Sequence, residues 1–475
     1  MATVLKLATP GVYVQEIAAF PPSVAEVETA IPAFIGYTEK AAGPANEDIT
    51  WIPKKITDFS QYTLFFGAPP QETKDSITID VSVDSSGSQV VTPKPVAGKG
   101  SKYKLAYSVQ QFFDNGGATC YIVSTGPYGA PPGAPASADL GKGLDQVKDV
   151  DEVTLLVIPE AQWSDNHAVL EGKLIQQASD LKDRFALIDP AQVTAKTPAN
   201  PAGDIDGDVK KIRDNTKGVA LDRYAAAYYP NLITTYGLNF DFANLTIDTS
   251  PSDPTLVGKK MSDLGQGSAL WAKAKAAVGK LYVELPPSPA IAGLYARIDS
   301  TKGVWKAPAN EALFSVAGPT IPISSREQES LNIDPNSGKS INVIRTFPGY
   351  GCLVWGARTL NGNDNEWRYI SVRRFFNMVE ESIKKSCQQF VFEPNTIDTW
   401  VKVQAMIENY LFLKWKEGAL AGAKAEQAFY VRVGLGTTMT ALDILEGRMN
   451  VEIGMAVARP AEFIVLKFTQ IMQQA

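Results

Sequence analysis

One histidine and three cysteines among 475 residues leave this sequence poor in the side chains that do most metal and nucleophilic chemistry. With His167 alone and no close pair among Cys120, Cys352 and Cys387, a zinc site of the usual nitrogen and sulfur ligands cannot be assembled. The cysteines are widely scattered among apolar and aromatic neighbours, which suits buried reduced thiols better than a disulfide frame. No apolar run approaches the ~20 residues of a membrane span. The opening "MATVLKLATPGVYV" has neither a basic region nor an apolar core and breaks at Pro10 and Gly11, so a Sec-exported or membrane-embedded product is not expected. The excess of one charge sign is small too. The 45 Lys and Arg against 51 Asp and Glu give a net −6, which argues against nucleic acid as the main partner.

Motifs that mimic chemical sites fail on spacing. Asp204, Asp206 and Asp208 in "DIDGDV" have calcium-loop spacing, but Gly207 precedes the third acid and the twelfth position is Asn215, so a solvated turn is expected. Gly338, Lys339 and Ser340 resemble the end of a phosphate loop whose earlier glycine is here Ile333. "GYGCLVWG" lacks dinucleotide spacing. His167, on a polar helix start, reads as a surface or capping residue, and no two carboxylates stand out as acid and base. No catalytic, cofactor-binding or metal-binding residue is assigned, and the default is a protein that makes contacts.

What is present is pattern. The chain is too long for one core, so two or three domains are expected, and 45% hydrophobic with 20% charged residues describes a globular protein. The organising stretch is "NVIRTFPGYGCLVWGARTL", residues 342–360, with two strand-like apolar runs about a Pro348–Gly349 turn. After it, Val372, Phe375, Phe376, Val379 and Ile383 mark one face of an amphipathic helix, with Glu380 and Lys384, and Glu381 and Lys385, at i,i+4 opposite. A second helix starts after Pro394 with Asn395 or Thr396 as N-cap, carries Trp400, Val403, Ile407, Tyr410 and Leu411 on one stripe, and ends at Gly418. Three strand-like runs follow, "AFYVRVGL", "NVEIGMAV" and "EFIVLKFTQI"; the last two, split at Arg459 and Pro460, read as a hairpin.

Earlier in the chain, "TPGVYVQEI" is a short strand between breakers, "AIPAFIGYT" an apolar strand and residues 57–66 a helix. Residues 71–102 differ in composition and read as an insertion carrying a hairpin, and a helix and the strand "TCYIVST" resume after it. "VTLLVIPE", a helix over 167–185, "FALIDP", a short helix over 206–215 and "AAAYYPNL" imply an α/β layer with parallel strands. Residues 235–279 lose this period and read as a second insertion. The expected fold is mixed, α+β and α/β, multidomain: a terminal arm over 1–20, an α/β region with two insertions over 21–341, and a C-terminal sheet with two flanking helices over 342–475. Strands at both chain ends either complete their own sheet or are donated to a neighbour.

Seven blocks, in order, carry a resemblance: "ATPGVYVQEIAAFPPSVAEVETAIPAFIGYTEKA", "SVQQFFDNGGATCYIVS", "TLLVIPEA", "LKDRFALIDP", "AAAYYPNL", "LPPSPAIAGLYARIDSTKGVWKAPAN" and "NVIRTFPGYGCLVWGARTL". Together they resemble the phage tail sheath family, and more narrowly sheath subunits of phage-tail-like contractile injection systems. The resemblance runs from about residue 9 to 470, interrupted by the two insertions.

The resemblance implies a structural subunit without enzymatic activity or cofactor. Such a subunit stacks in hexameric rings around an inner tube, on a baseplate and under a terminator or cap, with paralogous sheath subunits compatible with the pattern, and contracts to drive the tube through a target envelope. It implies assembly in the bacterial cytoplasm as part of a phage tail or tail-like particle, released or membrane-anchored. It also implies that terminal strands are donated between subunits. By position these are Val12, Tyr13, Val14, Gln15 and Ile17, and Phe463, Ile464, Val465, Leu466 and Phe468, joining a sheet of Tyr430, Val431, Val433, Val451 and Ile453. The tube-facing surface is expected on the polar face of the second C-terminal helix, at Lys402, Glu408, Lys414 and Lys416. The alternative is a soluble enzyme using the α/β layer of 153–232. It needs convergent polar residues at the carboxyl ends of those strands, where Asp189 is the one acid that the sequence places.

Overall fold

Strands that are apolar at every position, such as Leu155–Val157, Phe185–Ile188 and Ala225–Tyr229, can be satisfied only in a sheet covered on both faces. The computed structural model places them in one. It describes residues 23–129, 133–192, 204–216 and 222–467. Val12, Tyr13, Val14, Gln15, Ile17 and Phe468 therefore lie outside the described residues.

The chain divides into two units, Glu26–Glu381 with Val457–Ala475, and Met1–Ala25 with Ser382–Ala456. The units meet in the chain at Glu381, and the stretch 342–360, where the sequence led us to expect the C-terminal domain to open, supplies two strands to the sheet of the larger unit.

That sheet has nine strands, in the order Glu311–Ala312, Gly351–Val354, Ile341–Phe347, Ala225–Tyr229, Phe185–Ile188, Leu155–Val157, Pro32–Thr38, Cys120–Pro127 and Lys54–Ile56. The six strands from Ile341–Phe347 to Cys120–Pro127 are mutually parallel, and the three outer ones are antiparallel to their neighbours. Alternate residues face two cores. Ala33, Ile35, Leu156, Ala186, Ile188, Ala227 and Val343 pack with the helices Ser137–Gln146, His167–Leu181 and Ile205–Asn215. Phe34, Leu155, Val157, Leu187 and Tyr228 pack with Phe59–Phe66, Leu105–Asp114 and Ser288–Lys302. The last two helices approach so closely that a Cβ at Gly293 would lie 2.4 Å from the Phe112 carbonyl oxygen, a separation that only glycine permits.

The two insertions form one module. The hairpin Ile77–Val83 and Gln89–Pro95 puts Ile77, Ile79, Val81 and Val91 against Leu245, Ile247, Met261, Leu270 and Ala274 of the second insertion. The Ile79 amide donates to Asp248 Oδ2 at 2.6 Å, and a parallel bridge joins Asp80 to Thr249.

The helix Ile370–Cys387 departs from the expected amphipathic pattern, since residues 371–375 and 377–379 are all buried. Arg373 is enclosed by the rings of Tyr224 and Trp367 at 4.7 and 4.4 Å and bonds Asn377 Oδ1 at 2.7 Å and Glu380 at 3.0 Å. Arg374 is held by Asp299, the Thr29 carbonyl and the Tyr295 ring. Charge here is buried by full engagement, which a periodicity of apolar residues cannot reveal.

In the smaller unit the helix Ile397–Lys416 starts at Thr396 and packs against the strand Phe429–Val433. That strand pairs antiparallel with Val451–Met455, from Phe429↔Met455 to Val433↔Val451. This overturns the hairpin expected about Arg459 and Pro460: the partner of Val451–Met455 lies before it in the chain, and residues 463–466 carry no strand.

Candidate functional site: strand ends, an open ladder and the C-terminal arm

Open parallel sheets bind ligands beyond the carboxyl ends of their strands, where the strand order reverses. Here the reversal lies between Pro32–Thr38 and Leu155–Val157, and the place is taken by Glu160. Its carboxylate is fully buried and accepts from the amides of Tyr37 at 3.0 Å, Lys104 at 2.9 Å and Leu105 at 3.1 Å. The last two open the helix Leu105–Asp114, so Glu160 satisfies a helix N-terminus. Burial pushes its pKa up to about 7 against the pull of those amides.

Asp189, after Phe185–Ile188, does the same for the helix Ser288–Lys302. It accepts from the Ser288 amide at 2.9 Å and from the Ser288 hydroxyl, and burial raises it to about 7. His167, the first residue of the helix His167–Leu181, is half-buried beside Glu171, with Nε2 3.3 Å from Oε1. Burial lowers the imidazole to about 4 and raises the Glu171 carboxyl to about 8, the latter opposed by a bond from Asn215. Near neutral pH both are uncharged. Asp204, instead of a calcium loop, caps the helix Ile205–Asn215 by accepting from the Gly207 amide at 2.9 Å, and Asp208 accepts from the Tyr229 hydroxyl at 3.0 Å. The carboxylates at the strand ends are thus engaged in holding helices. No group of three or more His, Cys, Asp or Glu that could hold a metal is found among the described residues.

The sequence-predicted assembly residues among the described ones fall in three places: a two-stranded ladder, the helix Ile397–Lys416 and the run 463–466. Tyr430, Val431, Val433, Val451 and Ile453 form the two-stranded ladder, with Val431 buried and Tyr430 exposed. The Tyr430 hydroxyl bonds Glu452 at 2.8 Å and its ring carries the Arg432 guanidinium at 4.6 Å. No further strand joins this ladder among the described residues. A two-stranded sheet is marginal alone and leaves hydrogen-bonding edges open. Along Ile397–Lys416, Lys402 and Lys416 are exposed and Glu408 is half-buried, accepting from Gln404 at 2.8 Å. Lys414 does not belong with them. It is buried on the apolar stripe beside Tyr410 and pairs with Glu417 at 2.8 Å, because its long stem packs while its head reaches the helix end.

Phe463, Ile464, Val465 and Leu466 are 70–79% exposed. The residue before them is tightly held. Glu462 accepts from Arg358 Nη2 at 2.7 Å and Nε at 3.0 Å, from Asn332 Nδ2 at 2.8 Å and from the Tyr369 hydroxyl at 3.2 Å. Burial resists its ionisation, but these bonds prevail and hold its pKa below the ordinary value. Arg358 is buried and fixed to the sheet: its amide donates to Asn342 Oδ1 at 2.8 Å, and Asn342 Nδ2 donates to the Arg358 carbonyl at 2.8 Å. Sequence reasoning missed this group. The available signal was Asn342 beside the apolar residues that open the strand run, and Arg358 shortly after its hairpin partner.

The strand-end acids Glu160 and Asp189 are thus hydrogen-bonded to helix N-termini, the ladder has two strands among the described residues, and the apolar run 463–466 is exposed beyond an anchored Glu462. The chain belongs to the phage tail sheath family. Residues 150–360 match the model of the phage tail sheath protein central domain and residues 362–471 that of the phage tail sheath C-terminal domain. A chain in the anti-feeding prophage baseplate is 31% identical with a TM-score of 0.63, covering 98% of this chain and 100% of that one. A chain of the anti-feeding prophage helical sheath in its contracted state also shows 31% identity and a TM-score of 0.63, over 98% of this chain and 99% of that one. The tail sheath protein of Burkholderia phage BcepMu is 30% identical over 151 residues; the match spans 30% of this chain and only 30% of that relative.

Proposed function

We propose that this chain is the subunit of a contractile sheath in a phage-tail-like injection particle. It stacks in rings of six around an inner tube, between a baseplate and a cap, and shortens to drive the tube through a target envelope. The observation that carries this reading is the match of nearly the whole chain, at 31% identity, to a helical sheath in a contracted state. The sixfold symmetry of the related anti-feeding prophage baseplate supports rings of six. Assembly in the bacterial cytoplasm accompanies this reading, and among the described residues no helix is long and apolar enough to cross a membrane.

Neighbouring copies exchange strands. Residues 463–468 of one subunit, and Val12, Tyr13, Val14, Gln15 and Ile17 of another, extend the ladder Phe429–Val433 and Val451–Met455 of a third. Main-chain bonds in an added strand keep copies linked, while side-chain contacts between rings are exchanged during contraction. Lys402, Glu408 and Lys416 face the tube. No reaction is assigned to the α/β layer, whose strand-end acids are occupied by helix N-termini.

The test is negative-stain electron microscopy of the full-length protein beside a variant lacking residues 1–17. Hollow tubes from the full-length chain, lost on truncation, are the expected result. Identical tubes from both would refute donation of the N-terminal strand. Compact monomers from both, even with a purified tube protein as template, would refute the sheath reading.

A further inference from the structure

The C-terminal arm follows the smaller unit in sequence, yet Val457–Ala475 belongs to the larger one. Val457 is buried, and Arg459 Nη1 bonds the Asn365 carbonyl at 2.8 Å. Glu462 then closes the attachment by accepting from Arg358, Asn332 and Tyr369. From Phe463 onward the described side chains are exposed. The change from held to free occurs within one residue.

What holds Glu462 is itself tied inward. Arg358 also donates Nη1 to the Gly362 carbonyl at 3.3 Å, and its backbone makes the reciprocal pair with Asn342. Asn342 lies in Ile341–Phe347, which pairs parallel with Ala225–Tyr229, and its Nδ2 reaches the Ala227 carbonyl at 3.1 Å. Tyr369 is bridged to Arg358 across the 359–368 loop, where the Thr359 amide bonds the Arg368 carbonyl at 2.8 Å. A continuous series of hydrogen bonds therefore runs from the arm to the parallel core of the sheet.

We propose that Glu462, Arg358 and Asn342 form the root of the C-terminal arm, through which tension on the arm passes directly into the central sheet of the larger unit. This rests on the reading of residues 463–468 as a strand given to another copy. The clamp fixes the length of free chain between two copies. A root at Glu462 leaves the donated run almost no slack, whereas release would add the preceding residues back to Val457, at up to about 3.3 Å each when extended. Bidentate guanidinium–carboxylate geometry suits this duty, since it resists rotation as well as separation. Glu462 and Arg358 act here as positioning residues.

The experiment compares the full-length protein with Glu462→Gln, Asn332→Ala and a truncation after Glu462, the second variant removing one bond to Glu462 while leaving the Arg358 pair in place. Limited proteolysis of the soluble chain is read at residues 457–461, with amide exchange of Ile341–Phe347 as the control for folding. Cleavage in Glu462→Gln about tenfold faster than in the parent, with strand exchange unchanged, is the expected result. Equal cleavage in both would overturn the clamp. Where tubes form, Glu462→Gln tubes should keep the strand linkage but show a broadened rise per ring and come apart at lower urea; tubes indistinguishable from the parent's would overturn the force path. The truncation tests the underlying reading separately, because tubes that form without residues 463–475 would refute donation of that strand whatever Glu462 does.

Discussion

Asp189 was the one acid that the sequence placed at the strand ends, and its burial against Ser288 couples its protonation to stability. Its ordinary pKa of 3.8 is raised to about 7 in the fold, and those of Glu160 and Glu171 rise from 4.5 to about 7 and about 8. Each folded state holds its proton more tightly than the unfolded one. The stability each contributes is complete below the unfolded pKa and is lost as pH rises through the folded one. His167 runs the other way: lowered from 6.5 to about 4, it contributes above 6.5 and loses this as pH falls. Three carboxyls outweigh one imidazole, so between about pH 5 and pH 7 these groups together make stability fall as pH rises. Asp189→Asn keeps the acceptor for the Ser288 amide and offers a donor to the Ser288 hydroxyl without a charge to bury. Thermal melts across this range should show a flatter curve for the variant, with its advantage over the parent growing toward alkaline pH by an order of magnitude of 1 kcal/mol or more. Superimposable curves would refute the assignment. Glu160 and Glu171 were not legible because an acid in "IPEAQW" or on a helix looks solvated until tertiary packing buries it.

Among the elements, those whose partners are near in sequence or whose pattern admits one environment were read correctly. The all-apolar strands of the α/β layer had to be doubly covered, and the hairpin within residues 71–102 was fixed by its own alternation around a Ser/Gly turn. The partner of Val451–Met455 was not legible, since the adjacent run in the sequence competes with one about twenty residues earlier, and the choice depends on the packing of the strand Phe429–Val433 against the helix Ile397–Lys416. The union of the two insertions was equally hidden. Each contributes half of a core, and neither half signals the other. This predicts that the module melts as one unit. Ile79 is fully buried between the hairpin and the second insertion, so Ile79→Ala should cost about 2–5 kcal/mol locally. Hydrogen exchange should then accelerate together in Ile77–Val83 and in the helix Ala269–Val278, while Phe185–Ile188 keeps its protection. Acceleration confined to the hairpin would show that the two insertions fold independently.

At the scale of the whole molecule, the proposed strand donation would cover the exposed apolar run 463–466 and extend a ladder of two strands. Burying four large apolar side chains is worth about 1.5–3 kcal/mol each before ordering costs, and the main-chain bonds of an added strand set register and direction. In the proposed donation the ordering cost is reduced, because Glu462 fixes where the added strand would begin. One consequence separates strand donation from mere hydrophobic stickiness. A synthetic peptide of residues 462–468, "EFIVLKF", presents the same backbone and side-chain alternation as the arm, whereas a scrambled peptide of equal composition presents only the same hydrophobicity. Because register is set by alternation along the strand, the native peptide should occupy ladder edges and shorten or prevent tubes, and the scrambled one should leave tube lengths unchanged. Light scattering during assembly, with tube lengths measured by electron microscopy, gives the comparison. Equal inhibition by both peptides would reduce the arm to a non-specific apolar patch. Inhibition by neither, at peptide in large excess over subunit, would place the receiving surface for the arm somewhere other than the ladder Phe429–Val433 and Val451–Met455.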